Sequence, residues 1–425
     1  MILVFDIGKT NKKWVLFDEQ LKLVADCTVQ LPETKDEDGF PCENISLLQD
    51  WVFEESLAVL KRKDVNVKYI NISAYGATIV FLDENNSPCF PVYNYLKPIE
   101  TEELKAFRME YDQENKLEIE TGAPLTGMLN TGFQIFKTSQ KKNFSKVKTI
   151  LHLPQYLAFL LHGTLQSETT SIGCHTTLWN FDKNDWHQWL GDKNLKNLLP
   201  PIVDGKGYIP VGINGKVINI GKGIHDSSAA LFPYVSNISE PFILVSTGTW
   251  SIVLNPFTKD AYSREDVNSD VLMYRQPDGS SVRASRLFTG RMFSEQLDLI
   301  CKKFEVEKST VFQMEYVLEW QTLSNQNEPV HQLEYEVHKL CNELCELHIQ
   351  AIHKAMGRSD IRSVYVDGGF AQNQIFLKLL KARLPQFRIF AARKPMGSAL
   401  GAALVLEVIK PEDIRFTEIY DIIEI

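Results

Sequence analysis

The first stretch of this chain, ILVFDIGKTNKKWVLFDE at residues 2–19, constrains its fold most. Apolar residues run into Asp6, then Gly8 and a polar turn, then Trp14-Val15-Leu16-Phe17. Apolar runs on both sides of a short polar turn predict a β-hairpin with a buried first strand. The turn holds more chemistry than folding needs: Asp6, Gly8, Thr10, Asn11 and the lysines Lys9, Lys12 and Lys13. Glycine lets backbone N–H groups approach an anion. Hydroxyl and ammonium groups bind phosphate oxygens, and an aspartate holds Mg²⁺ through water. Two readings stay open on this stretch alone: a phosphate-and-metal turn, or an ordinary hairpin with a solvated basic tip.

Residues 242–255, FILVSTGTWSIVLN, repeat the plan: an apolar strand, a polar turn with Gly248 and Thr249, and a second apolar strand. Such an internal echo predicts two related domains, each opening with a hairpin whose turn faces a shared cleft. A length of 425 residues suits two large domains. The polar segment near 235–241 marks the boundary, giving domains 1–235 and 236–425. A net charge of −9 and a pI near 5.6 disfavour nucleic acid or an anionic membrane as main partners. The seven cysteines are scattered without metal-ligand spacing, as expected of reduced thiols in a cytoplasmic protein. The N-terminus enters a strand at once, which leaves no room for a signal peptide. No apolar stretch is long enough to span a bilayer.

The two hairpins, with GIHDSSAAL at 223–231 and VYVDGGFAQN at 364–373, resemble in their order the motifs of the FGGY family of carbohydrate kinases. That family lies within the actin/hexokinase/Hsp70 superfamily, and the resemblance leans to its rhamnulokinase and fuculokinase branch. It covers nearly the whole chain, and the ordered set of four motifs is more specific than any one of them. It implies an α/β fold of two ribonuclease-H-like (actin-like ATPase) domains flanking a cleft. It also implies ATP and Mg²⁺ as cofactors and a small sugar as substrate, with a homodimer left open. A ketose such as L-rhamnulose, L-fuculose or xylulose is expected.

The resemblance assigns roles residue by residue. Asp226 becomes the general base, and His225 before it contacts substrate. The residues themselves allow a second reading of Asp226, as the N-cap of a helix opening on Ser-Ser-Ala-Ala, and both can hold. Gly76 ends a predicted strand at 67–73 and touches the sugar; Tyr75 beside it stacks on sugar or lies in the core. Gln134, in TGAPLTGMLNTGFQ, is a sugar-contact candidate set against a helix cap or turn. Phosphates fall to Gly8, Thr10, Asn11, Lys13, Gly248 and Thr249, held from opposite sides, with Asp6 orienting Mg²⁺ through water. Gly368, Gly369 and Asn373 take the adenosine end, where glycines let a helix start approach a ligand. His175 reads as a buried, hydrogen-bonded residue rather than a metal ligand, since no partner lies at ligand spacing.

Some positions depart from the family pattern. Leu287 or Phe288 stands where the rhamnulokinase branch has a substrate-contacting Asn, and Glu295 or Gln296 where a Gln reaches nucleotide. Lys13 replaces an arginine, losing the bidentate fork. Tyr93-Asn94-Tyr95 replaces Y-R-D. Two other readings are a sugar-binding regulator without catalysis and an actin- or Hsp70-like ATPase without a sugar substrate. The small residues from Gly397 to Ala403 are read as packing surface of a connecting helix.

Overall fold

The N-terminal hairpin forms in the computed structural model, which describes residues 1–425 except 193, 214, 319–331, 395 and 411–412. Strand β1, Ile2–Ile7, pairs antiparallel with β2, Lys12–Phe17, and β2 continues into β3, Leu23–Val29. Helix α1, Ile45–Lys61, buries Leu48, Trp51, Val52 and Val59, the face read from helical spacing. Strand β4, Tyr69–Ala74, then lies parallel to β1. Strands β5, Tyr208–Ile213, and β6, Lys216–Gly221, extend the sheet, whose order is β5-β6-β4-β1-β2-β3.

The chain divides into two compact units. The first is residues 1–237, 261–281 and 398–414; the second is 238–260, 282–397 and 415–425. The chain leaves the first unit after residue 237, and two later segments return to it. Local bonds explain their return. The amide of Met273 donates to the Gly122 carbonyl at 2.8 Å. A Cβ at Gly401 would lie 1.7 Å from the Ala229 carbonyl oxygen, so only glycine lets that helix pack so closely. The Asn71 amide donates to the Ala402 carbonyl at 2.7 Å.

The second unit repeats the plan. Strand β7, Phe242–Thr247, pairs antiparallel with β8, Ser251–Asn255, and β8 with β9, Ser281–Leu287. Strand β10, Ser363–Gly368, is parallel to β7, as β4 is to β1. Its core sets Val245, Val364 and Val366 against Leu344 and Ile352 of the helix Leu333–Met356.

Three further patterns in the sequence bear on local structure: a turn signal at 83–86 predicts a strand pair, 261–283 reads as polar and strand-like with a turn at 277–280, and apolar periodicity predicts a helix over 310–357. The turn at Asp83–Asn86 forms, but the strand before it, Ile79–Leu82, pairs with Thr149–His152; only an isolated bridge joins Leu82 to Pro88. Proline has no N–H to extend that ladder. Residues 261–283 form the strand Val271–Arg275 and the turn at 277–280, in keeping with their strand-like pattern, and add a helix, Arg264–Asn268, set by a capping box between Ser263 and Asp266. The helix expected over 310–357 is described as Lys308–Phe312 and Leu333–Met356, and its portion at 319–331 lies outside the described residues.

Candidate active site

In the first unit the candidate residues meet beyond the C-terminal ends of β1 and β4, where open parallel sheets place ligands. Asp6 lies beside Ser73 in the β1–β4 register and opposite Lys13 in the β1–β2 register. Ile224 and His225 add a short bridge to Ser73 and Ala74, which delivers Asp226 to the same end of the sheet. Ser398 donates to Asp6 Oδ1 at 2.5 Å. Burial pushes Asp6 up to about 6, and the neighbouring charge of Asp226 adds to this; Ser398, Lys13 and Ser73 oppose it.

Asp226 opens the helix Asp226–Asn237. Its contacts fall on one oxygen. Oδ1 accepts from the Ser227 amide at 2.6 Å and the Ser227 hydroxyl at 3.1 Å, and His225 Nε2 lies 3.2 Å away. Oδ2 has no hydrogen-bond partner among the described residues. An N-cap side chain bonds the amide two or three residues on. Asp226 bonds only the next amide, so helix capping alone does not explain it. Burial raises its pKa to about 6, although 34% of the side chain meets solvent. The carboxylate sits in a recess that is deep but not dry.

His225 is buried and held neutral, its pKa lowered by burial to about 3. The Ser228 hydroxyl donates to the Arg275 carbonyl at 3.0 Å. That leaves its oxygen to accept from His225 Nδ1–H at 3.3 Å. With the proton on Nδ1, Nε2 is the acceptor, facing Cys174 Sγ at 3.2 Å and Asp226 Oδ1. A lone pair facing a carboxylate is attractive only when one of them carries a proton, so this contact favours a proton on the pair. Gly76 is required here: a Cβ on it would lie 2.9 Å from His225 Nε2.

The loops around this recess are held in unusual backbone conformations. Ala77, His175 and Thr177 all have positive φ, of 55°, 41° and 62°. Non-glycine residues there are strained, and such residues gather at functional sites. Asn130 and Gln134 hold them. Asn130 donates to the His175 carbonyl at 2.9 Å, and Gln134 donates to the Ala77 and Met128 carbonyls at 2.7 and 2.6 Å. Gln134 is fully buried inside the helix Thr131–Ser139, so it supports the loop from behind and is not a cap. His175 is buried with Nδ1 against the Leu129 carbonyl at 3.0 Å, the placement expected for it. Among the described residues no group of three or more His, Cys, Asp or Glu could hold a metal ion.

The lysines of the turn separate into different roles. Lys12 is buried, not a solvated or phosphate-facing side chain. Its ammonium bonds Glu43 at 3.1 Å and donates to the Gly8 and Lys9 carbonyls at 3.2 and 3.0 Å. The reason is strand alternation: next to Lys13, Lys12 points to the opposite face of the sheet. Lys9 pairs with Glu33 at 2.6 Å. Thr10 and Asn11 are exposed, and Gly8 closes the turn by donating to the Asn11 carbonyl at 2.9 Å. Tyr75 takes the core placement: it is buried, its hydroxyl donates to Glu43 at 2.7 Å, and its ring meets Tyr95 edge-on.

In the second unit, Gly248 and Thr249 are exposed in the β7–β8 turn. Helix Thr289–Phe304 starts against that turn, since a Cβ at Gly290 would lie 1.8 Å from the Gly248 carbonyl oxygen. Thr247 clamps the end of β10: its hydroxyl donates to the Asp367 carbonyl at 2.6 Å and accepts from the Phe370 amide at 3.0 Å. Gly368 has φ 87°, and a Cβ there would lie 1.9 Å from the Thr247 carbonyl oxygen. Gly369 opens onto free space. Asn373 caps the helix Gln374–Arg383 through Phe376 N at 3.0 Å. Beside it lies a small depression lined by Phe293, Phe312, Met314, Asn373, Gln374 and Ile375 among others. Glu295 is exposed and paired with Arg291 at 2.6 Å, and Gln296 is exposed beside it.

The N-terminal domain of the FGGY family of carbohydrate kinases matches residues 1–225. The chain belongs to that family. A rhamnulokinase from Halalkalibacterium halodurans is 26% identical over 219 residues. That match spans only 48% of this chain and 46% of the relative. Solved structures resemble this FGGY chain over far more of its length. A carbohydrate kinase from Novosphingobium aromaticivorans has a TM-score of 0.79 at 21% identity, over 100% of this chain and 96% of its own. A ligand-bound xylulose kinase from Lactobacillus acidophilus has 0.79 at 15%, over 100% and 93%. The Plasmodium falciparum glycerol kinase with ADP has 0.75 at 17%, over 95% and 89%. The fold is therefore the two-domain actin-like ATPase fold expected from the four motifs. No helix among the described residues is long and apolar enough to cross a membrane.

Proposed function

We propose that this chain transfers the γ-phosphoryl group of ATP to a hydroxyl of a small sugar, with Asp226 as general base. The substrate we favour is a ketose such as L-rhamnulose, L-fuculose or xylulose. The observation that carries the reading is the geometry of Asp226. One oxygen is held by the Ser227 amide and hydroxyl with His225 Nε2 against it, and the other has no partner among the described residues. A sugar hydroxyl is a poor nucleophile whose proton must leave as the new P–O bond forms. Asp226 Oδ2 accepts that proton, which removes the carboxylate charge that the His225 Nε2 lone pair faces across Oδ1. Gly76 and His225 bound the sugar, while Tyr75 and Gln134 hold the surrounding loops.

Lys13, Thr10, Asn11 and Gly8 serve the phosphates on the first unit, and Gly248 and Thr249 on the second. Gly368, Gly369 and Asn373 serve the adenosine end, beside the small depression. The Asp6 carboxylate, with the Ser398 hydroxyl against its Oδ1, would hold Mg²⁺ through water, which suits an ion that keeps its waters and takes one or two carboxylates. When bound, that ion neutralises phosphate charge. Asp6 orients it through water, and a nearby cation would draw the raised pKa of Asp6 down.

ADP release measured with MgATP across ketoses, polyols and aldoses tests the reading. A sugar-dependent rate is expected. Equal ADP release with and without every sugar would mean an ATPase without a sugar substrate. Sugar binding without any ADP release would mean a regulator.

A further inference from the structure

A carboxylate outside the expected site residues joins two of its parts. Glu43 is buried, and its Oε2 meets Lys12 Nζ at 3.1 Å and the Tyr75 hydroxyl at 2.7 Å. The same ammonium holds the Gly8 and Lys9 carbonyls, so it fixes the backbone of the turn from beneath. Tyr75 leads directly into Gly76, against which His225 Nε2 lies too close for any side chain. A continuous path thus runs from the 8–13 turn through Lys12, Glu43, Tyr75 and Gly76 to His225 and Asp226. The ammonium and carboxylate are 2% and 3% exposed, so neither is screened by water and neither moves without the other. Four of the contacts on the path are charge-assisted or held by a buried charge, which makes it stiff.

We propose that Glu43 is a positioning residue that couples the phosphate turn to the sugar loop, so that sugar in the site tightens nucleotide binding and the reverse. Because the path is stiff, a phosphate that shifts the Gly8 and Lys9 carbonyls shifts Lys12, Glu43 and the Tyr75 hydroxyl with them, and so moves the loop that meets the sugar. The inference rests on the kinase reading above. Coupling is reciprocal by linkage and is usually about 5- to 150-fold.

The experiment measures the Kd of magnesium with a non-hydrolysable ATP analogue, with and without a saturating ketose. The ketose is whichever of L-rhamnulose, L-fuculose and xylulose the wild-type chain turns over. Wild type should bind the analogue at least about 5-fold more tightly with sugar present. Tyr75→Phe removes one hydroxyl and leaves the buried ion pair whole, so it should still fold, with a modestly lowered melting temperature, and lose most of the tightening. A Lys12→Met/Glu43→Gln double variant, which leaves no buried charge unpaired, should lose it as well. A merely structural role would lower the melting temperature and leave the tightening intact. Wild-type turnover with no tightening, or full tightening in folded Tyr75→Phe, overturns the coupling alone. Turnover of none of the three ketoses, with no analogue bound, overturns the kinase reading and the coupling with it.

Discussion

Replacing Asp226 with Asn separates catalysis from folding. Asn keeps the size of the side chain and an oxygen for the Ser227 amide and hydroxyl, which now hold Oδ1 at 2.6 and 3.1 Å. What it loses is the ability to take a proton. General-base assistance is typically worth about 10²–10⁴-fold, so turnover should fall by at least ~10²-fold. Stability should move the other way. The folded pKa is raised from 3.8 to about 6. A carboxyl raised in this way stabilises the fold fully below about pH 3.8, and that contribution is lost as pH rises through about 6. At pH 7 the wild-type chain therefore holds a charge that the fold disfavours. The difference corresponds to about 3 kcal/mol at most. With 34% of the side chain in water, solvent screening reduces this to on the order of 1 kcal/mol. Asp226→Asn should accordingly melt about 2–4 °C higher at pH 7, with the gain shrinking toward pH 4.

The assay pairs steady-state ADP release with thermal melting at pH 4, 5.5 and 7. The combination of a large rate loss with a pH-dependent stability gain belongs to a buried base. A helix cap predicts a nearly silent Asn on both axes, since Asn caps about as well as Asp. A fully active Asp226→Asn enzyme would refute the general-base assignment and the placement of the sugar beside it.

Further outcomes follow from the same geometry. The base works only when deprotonated, so kcat/KM for the sugar should rise with pH through about 6 and then level off; a flat profile down to pH 5 would exclude Asp226 as the titrating group. Lys13→Ala should raise the KM for ATP or lower kcat while sugar affinity barely changes, and loss of sugar binding with ATP binding intact would show that the turn was misassigned. Gly76→Ala forces a methyl to within 2.9 Å of His225 Nε2. It should lower kcat/KM for the sugar by displacing the imidazole, and a wild-type sugar profile would remove Gly76 from the site.

The backbone plan was legible because it follows from local rules. Apolar runs around glycine turns predicted both hairpins, and helical spacing predicted the buried face of Ile45–Lys61. The gathering of Asp6 and Asp226 was legible only through the family order of the motifs, because 220 residues separate them in sequence and a parallel register joins them in space. Side chains in that same register escaped the sequence reading. Ser73 shares a mostly apolar strand with Asn71, and Ser398 is one serine in a run of small residues that reads as packing surface. The serine in that run was the signal to follow, since a helix packed only on glycine and alanine needs no hydroxyl. Lys12 was grouped with its neighbours by composition, although strand alternation sends it to the opposite face from Lys13. Glu43 gave no signal at all: a lone glutamate before a helix normally reads as solvated.

The repeated hairpins show why fold and chemistry are legible to different degrees. In both units the first strand pairs antiparallel with the second and parallel with a third. In the first unit the carboxylate stands on the first strand and serine on the third, with Asp6 facing Ser73. In the second the order is reversed, with Ser246 facing Asp367. The turns differ in the same sense: Lys9, Lys12 and Lys13 surround the first, whereas Ser246, Thr247 and Thr249 line the second. Strand pairing requires only apolar alternation and a glycine at the turn, so these features survive in both copies. Charge is free to move between strands that the register holds side by side, because the pair presents the same two positions to a ligand whichever strand carries the acid. Residue-by-residue comparison of the two hairpins therefore recovers their glycines and apolar runs but not their functional groups, and these become comparable only across the parallel strand pair.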